Sequence, residues 1–428
     1  MVPQFVVQEV RDYQIPLTFI PKTVLDIGAN VGAFTLAARK IWPDAQIFAY
    51  EPVKANADEF RKNVGAMAGV DFVQAAVGAL ECEADIKIGN QGVACSMYDL
   101  GRQTKETERV KVVAAASLPA CEFVKIDTEG AELDILPTLN LAECKAMVVE
   151  FHRGGDRRKI MTIALKAGLY LHENCQIAED LGILKFTREI YDDRLFVAVP
   201  VYGEEQSHFS VCLGRLLTNP PVPLTIRRNV GDSLVSRSRN TLTAEFLESN
   251  CGSMLFLDSD LIFSPEHVRL IAERTEPVVG GLYPKKQRVL EWVLNGMLTP
   301  TKATADGLLQ VRYIGTGFMR IKRQVFIDMV ERFGGDIRYT PDHEQGRIEH
   351  DFWTVGVYRY PDGGARYLSE DWFFCQRCLD MGLKVWADTR FFLKHIGVAV
   401  YPLEAPNYER AQPDGNIPGP GNGAPGNA

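Results

Sequence analysis

Residues 24–27 form a short apolar run, Val24-Leu25-Asp26-Ile27, that breaks into Gly28-Ala29-Asn30-Val31-Gly32 and then into an amphipathic segment at 33–41. This is the pattern of a buried strand turning sharply into a helix. The alternation continues with an apolar stretch at 46–50, a polar helical stretch at 54–64 and a further strand at 70–73. Apolar strands recur at 122–127, running into Thr128-Glu129-Gly130-Ala131-Glu132, and at 147–152. Strands alternating with helices through short connections predict a parallel sheet covered on both faces, with ligands at the carboxyl ends of its strands. Near Tyr191 the pattern resets: 195–203 reads as a fresh buried strand, with no long linker before it, so two domains are expected to abut. Asp232 is then expected to cap a helix that runs towards Glu248, and 253–257 is an apolar strand ending in Asp258-Ser259-Asp260. Past Pro402 the chain drifts into Pro, Gly, Asn and Ala, and residues 403–428 are expected to be a disordered tail.

Composition narrows the classes. A length of 428 residues suits two domains, and 46% hydrophobic content supplies their cores. A net charge of −8 argues against nucleic acid or an anionic membrane as the main partner, because either would need clustered Lys and Arg. The nine cysteines are scattered and odd in number, which fits reduced thiols; Cys375 and Cys378 read as buried residues of a helix face. With neither a leader pattern nor a transmembrane window in view, a cytoplasmic protein is expected. The oligomeric state is not legible.

In the first half, Gly28 and Gly32 let the backbone approach a ligand and let the new helix pack on its strand. Glu51 follows the second strand at the spacing where a carboxylate can accept from both hydroxyls of a ribose. Asn30 stands where a dinucleotide fingerprint needs its second glycine, which counts against NAD. Asp127, Glu129, Glu150 and His152 close later strands and would converge above the sheet, where a carboxylate or imidazole can remove a hydroxyl proton. Asp-Ile-Gly-Ala-Asn-Val-Gly at 26–32, Tyr50-Glu51-Pro52 and Lys-Ile-Asp-Thr-Glu-Gly-Ala-Glu at 125–132 together resemble the FkbM family of S-adenosylmethionine-dependent methyltransferases over roughly 20–190. The resemblance implies O-methylation, often of a sugar hydroxyl, with Asp26, Gly28, Asn30, Gly32 and Glu51 holding S-adenosylmethionine and Asp127 facing the reacting centre; His152 is a second catalytic candidate from its place at a strand end alone, where a partly buried surface histidine is the alternative.

In the second half, Asp258 and Asp260 at a strand end are hard oxygen ligands suited to Mn²⁺ or Mg²⁺ bridging a diphosphate. The strand at 196–203, Arg237-Ser238-Arg239-Asn240, Leu257-Asp258-Ser259-Asp260, Gly315-Thr316-Gly317, Glu370-Asp371 and His395 together resemble GT-A glycosyltransferases over 194–402. Family-two-like enzymes look nearest, with some similarity to mannan-type mannosyltransferases. The resemblance implies a metal held by Asp258, Asp260 and His395. A nucleotide-sugar donor would lie near Pro200, Tyr202, Arg237, Arg239, Asn240, Gly315, Thr316 and Gly317, with Glu370 or Asp371 as the base of an inverting reaction.

The expected fold class is therefore α/β in two domains: a Rossmann-like seven-stranded methyltransferase sheet at 1–193, then a GT-A fold at 194–402. The expected function is a bifunctional glycan-modifying enzyme acting on a saccharide or glycoconjugate acceptor. The rivals are a glycosyltransferase with a non-catalytic methyltransferase-like scaffold and a non-enzymatic carbohydrate-binding assembly protein.

Overall fold

The computed structural model describes residues 13–89, 104–287, 290–297, 301–342 and 347–397. The tail expected at 403–428 lies outside them.

The first half opens with β1 (Thr23–Ile27), α1 (Ala33–Ile41), β2 (Gln46–Tyr50), α2 (Lys54–Val64) and β3 (Val70–Val73). Next come β4 (Ala76–Gly78), β5 (Cys82–Gly89) and β6 (Thr104–Ala114), which form a small sheet of their own in the order β4-β6-β5. Then follow β7 (Phe123–Ile126), α3 (Glu132–Ile135), β8 (Ala146–Phe151), α4 (Arg157–Lys166), β9 (Tyr170–Gln176) and β10 (Gly182–Thr187). The main sheet has the expected seven strands, in the order β3-β2-β1-β7-β8-β10-β9. It is parallel except for β10, which runs antiparallel to both neighbours.

Two features of this sheet place the site. The strand order reverses between β1 and β7, so the loops leaving them diverge and open a crevice. The register pairs Ile27 with Tyr50 and Ile126, and Ile126 with Val149. The next residue of each strand therefore belongs to one row: Gly28, Glu51, Asp127 and Glu150. Apolar clusters cover both faces, one around Ile126, Met147 and Leu184, the other around Val24, Phe34 and Phe123.

The chain changes sheets between Thr187 and Tyr191, a few residues ahead of position 193. The second half contains β11 (Tyr191–Val201), α5 (Ser207–Thr218), β12 (Leu224–Val230), α6 (Val235–Glu248), β13 (Cys251–Leu257) and β14 (Leu261–Ile262). It continues with α7 (Pro265–Ala272), β15 (Val278–Leu282), β16 (Leu294–Gly296), β17 (Leu308–Ile314), β18 (Phe318–Lys322) and α8 (Arg323–Ile337). Two short hairpins, β19 (Arg338–Tyr339) with β20 (Glu349–His350) and β21 (Gly356–Arg359) with β22 (Ala365–Leu368), precede α9 (Glu370–Asp380), β23 (Val385–Phe392) and β24 (Lys394–His395). The large sheet has the order β12-β11-β13-β18-β15-β23-β17-β16; β11, β12 and β13 are mutually parallel, and β18 is antiparallel to both its neighbours.

One helix start is corrected. Leu234, not Asp232, is the N-cap of α6; Asp232 instead accepts from the Leu234 amide at 2.9 Å and pairs with Arg237 at 2.7 Å. Cys375 and Cys378 lie fully buried in α9, where burial pushes the Cys375 thiol up to about 12. Among the described residues no helix is long and apolar enough to cross a membrane.

Candidate functional sites

The turn after β1 is built from left-handed backbone: Gly28 at φ 79°, Asn30 at φ 48° and Gly32 at φ 88°. A Cβ on Gly28 would stand 1.7 Å from the carbonyl oxygen of Asp127, so only glycine lets the β1 and β7 ends come together. Asp26 is wholly buried and accepts from Thr35 Oγ1 at 2.7 Å, the hydroxyl of the first turn of α1, while its Oδ1 has no hydrogen-bond partner. Asp26 thus fastens the helix to the strand as well as facing the turn.

Glu51 reaches back to that turn, accepting from the Asn30 amide at 3.0 Å, the Val53 amide at 3.0 Å and Asn56 Nδ2 at 3.2 Å. A carboxylate offers about four lone-pair sites. With three engaged, one remains for a ribose hydroxyl, rather than the two expected. Burial raises the Glu51 carboxyl above its ordinary range, and the hydrogen bonds from Val53, Asn56 and Asn30 pull against it.

At the ends of β7 and β8 the structure gathers Asp127, Glu129, Glu132, Glu150 and His152, separated by up to 25 positions in sequence. His152 Nδ1 lies 3.1 Å from Glu132 Oε1, and its Nε2 lies 3.3 Å from Glu129, 3.6 Å from Glu150 and 3.9 Å from Asp127. Burial alone would lower this imidazole, but the hydrogen bonds to Glu132 and Glu150 and the charge of Glu129 push it up to about 10. The reading of His152 as a base changes accordingly: at neutral pH the ring already holds its proton. Among the described residues, Asp127, Glu129 and His152 bring ligand atoms within 4.8 Å of one another.

Glu132 carried no role in the sequence reading, and neither did two residues that adjoin the cluster, Lys125 and Tyr13. Lys125 is buried in β7, donates to the Gly28 carbonyl at 2.6 Å and stands 3.4 Å from Asp26 and 3.6 Å from Asp127. A lysine inside an apolar strand was a signal for it. Tyr13 donates to Glu150 at 2.6 Å and lies 3.1 Å from Asp127. Nothing local marks Tyr13, which is 114 positions from Asp127.

The second cluster lies at the end of β13. The Asp258 amide donates to the Gly317 carbonyl at 2.9 Å, setting the acid against the turn between β17 and β18. Arg239, almost fully buried, donates to Asp258 at 3.0 Å and stands 3.6 Å from Glu370. Asp260 pairs with Lys286 and faces His395 Nε2 at 3.5 Å, because the β14–β24 pair sets Leu261 opposite His395. The Asp260 carboxyl is held below its ordinary range: burial works to raise it, and His395 and Lys286 outweigh burial. Asp371 is pushed up to about 6 by burial and the neighbouring Glu370 charge.

Other residues of the expected donor site have different surroundings. Gly315 and Gly317 make room for Tyr283, whose hydroxyl would be 2.3 Å and 2.8 Å from an added Cβ, and which accepts from the Gly317 amide at 2.9 Å. The expected sugar approach over these glycines is therefore filled by a side chain of the protein, and Thr316 between them is buried. Asn240 is engaged inside the fold, donating to Asp351 at 2.8 Å and accepting from the Trp353 amide at 3.2 Å. Arg237 is held by Asp232. Pro200 is buried in β11, and Tyr202, just past it, is largely exposed.

Residues 26–177 match the model of the methyltransferase FkbM domain. The chain is also similar to "Methyltransferase 1" of Beauveria bassiana (strain ARSEF 2860), 24% identical over 144 residues, a match covering 27% of this chain and 58% of that protein. The chain thus spans less than two thirds of that relative's length. Among solved structures, a methyltransferase FkbM from Methylobacillus flagellatus KT is matched at 14% identity and a TM-score of 0.29, over 40% of this chain and 45% of that one. An O-methyltransferase family protein from Burkholderia thailandensis is matched at 12% identity and a TM-score of 0.27, over 43% of this chain and 55% of that one. The second sheet begins beyond the family match, and the matched residues 26–177 hold the glycine turn and the His152 cluster.

Proposed function

We propose that the first half transfers a methyl group from S-adenosylmethionine to a hydroxyl of a saccharide or glycoconjugate, and that the second half is a metal-dependent GT-A glycosyltransferase using a nucleotide-sugar donor. The observation that carries the first part is the coincidence, at the switch point of the sheet, of the left-handed Gly28–Gly32 turn, Glu51 with a remaining acceptor site, and an acidic cluster at the same row of strand ends. The cofactor supplies an electrophilic methyl on sulfonium. The chain's own work is then to align the acceptor oxygen and take its proton. A carboxylate of the cluster suits that role better than His152, whose ring already carries a proton at neutral pH.

For the second half, Asp260 Oδ1 is buried without a hydrogen-bond partner and faces His395 Nε2. His395 Nδ1 lies 2.8 Å from the Pro284 carbonyl, which can only accept, so Nδ1 carries hydrogen and Nε2 is left to meet a cation. Asp260 and His395 would hold a divalent ion, with Asp258 joining them once released from Arg239, which would then turn towards the donor's phosphates. Asp371, raised by burial and the neighbouring Glu370 charge, would accept the acceptor's proton.

Incubation with labelled S-adenosylmethionine, sugar nucleotides and a saccharide panel tests both halves. Methyl transfer is expected to fall at least about 100-fold in Asp26→Asn or Glu51→Gln, and Mn²⁺-dependent sugar-nucleotide turnover to vanish in Asp258→Ala. Absence of binding by both S-adenosylmethionine and every sugar nucleotide would falsify the proposal.

A further inference from the structure

His152 stands among carboxylates in the arrangement that metal-bound histidines adopt. One ring nitrogen, Nδ1, is 3.1 Å from Glu132 Oε1, a carboxylate that can only accept, so Nδ1–H is fixed and the ring cannot turn. The other nitrogen, Nε2, points at Glu129, Glu150 and Asp127, all within 3.9 Å. Ligand atoms of Asp127, Glu129 and His152 lie within 4.8 Å of one another, the span of a single coordination sphere. A separate observation comes from Glu132: its side chain is wholly buried in this cluster, one oxygen meets His152, and its Oε2 has no hydrogen-bond partner. Carboxylates gathered at one buried point are costly unless positive charge meets them.

We propose that Asp127, Glu129 and His152 bind a divalent cation, with Glu150 within reach as a fourth ligand and Glu132 as the positioning residue behind the imidazole. The site is distinct from the Asp258–Asp260 pair and lies in the crevice of the first sheet. Its consequence for chemistry rests on the methyl-transfer reading. A hydroxyl oxygen bound to the cation becomes more acidic and is held in place; its proton passes to a carboxylate of the cluster, its lone pair forms the new O–C bond, and the sulfonium S–C bond breaks to leave a neutral thioether.

Mn²⁺ binding to the full chain tests this, with free Mn²⁺ read by electron paramagnetic resonance and bound Mn²⁺ by its coupling to ligand nitrogen. In an Asp258→Asn, Asp260→Asn background, one Mn²⁺ is expected to remain and to show an imidazole nitrogen. That coupling is expected to disappear in His152→Gln, and the affinity to weaken by at least about tenfold in Asp127→Asn and on the order of 10- to 100-fold in Glu132→Gln. Circular dichroism and the melting transition establish that each variant folds, and Glu129→Gln serves where Asp127→Asn does not. No remaining Mn²⁺, or Mn²⁺ indifferent to both His152→Gln and Glu129→Gln, overturns the site. Methyl transfer unaffected by chelation would sink the cation and leave the methyl-transfer reading standing; Mn²⁺ bound at His152 without methyl transfer would do the reverse.

Discussion

Gly28 shows how much one atom decides. Its φ of 79° and the 1.7 Å approach of the Asp127 carbonyl oxygen to an added Cβ mean that Gly28→Ala must push the β1 and β7 ends apart. A loss of at least about 3 kcal/mol is expected in chemical denaturation. Gly382 has a similar φ of 77° but nothing within 4 Å, so Gly382→Ala is expected to cost only the backbone term, about 1 kcal/mol. Equal losses at the two positions would refute the steric account. His152 gives a second expectation. A histidine raised to about 10 stabilises the fold fully below its unfolded value near 6.5, and that contribution is lost as pH rises through about 10. Proton NMR of the ring without added metal should show an imidazolium through neutral pH, and a midpoint near 6.5 would contradict the cluster.

Elements matter most where the two sheets meet. α4 of the first half and α6 of the second are joined by Arg158 and Glu248, whose two contacts measure 2.6 Å and 2.9 Å. The geometry is bidentate and only partly exposed, so Arg158→Ala is expected to cost about 1–3 kcal/mol. Next to it, His172 accepts at Nδ1 from Asn250 Nδ2 at 2.9 Å, with the Arg194 guanidinium also 2.9 Å away. Burial first, and then the Arg194 charge, lower this histidine to about 4. The unfolded chain therefore binds more protons than the folded one between about 4 and 6.5, and stability at the seam is lost as pH falls through that window. The size is on the order of 3 kcal/mol, and His172→Gln should flatten the acid limb of a stability–pH curve.

At the scale of the whole molecule these contacts tie two separately cored sheets into one. Besides the two pairs, the Asn250 amide donates to the Leu171 carbonyl at 3.0 Å, and Asn250 Nδ2 to Thr187 Oγ1 of β10 at 2.9 Å. Calorimetry of the full chain should give one unfolding transition, and loss of Arg158 together with Asn250 should resolve it into two. Two transitions already present in the unaltered protein would show that the seam does not couple the halves.

The strands and helices of the first half were legible because apolar periodicity and glycine placement are local properties, and residues 33–41, 46–50 and 54–64 carry them within their own span. So were the ends of strands as the place for polar chemistry, which brought Asp26, Glu51, Asp127 and His152 into view. Tertiary structure decided what those groups do. Whether Glu51 is free or folded onto Asn30, whether His152 meets Glu132, and whether Gly315 and Gly317 face a ligand or Tyr283 all depend on partners 20 or more positions away. A side chain's charge and spare hydrogen-bonding capacity are set by the electric field and the atoms around it, and for Tyr13 and Lys125 those arrive only when distant strands pair in register.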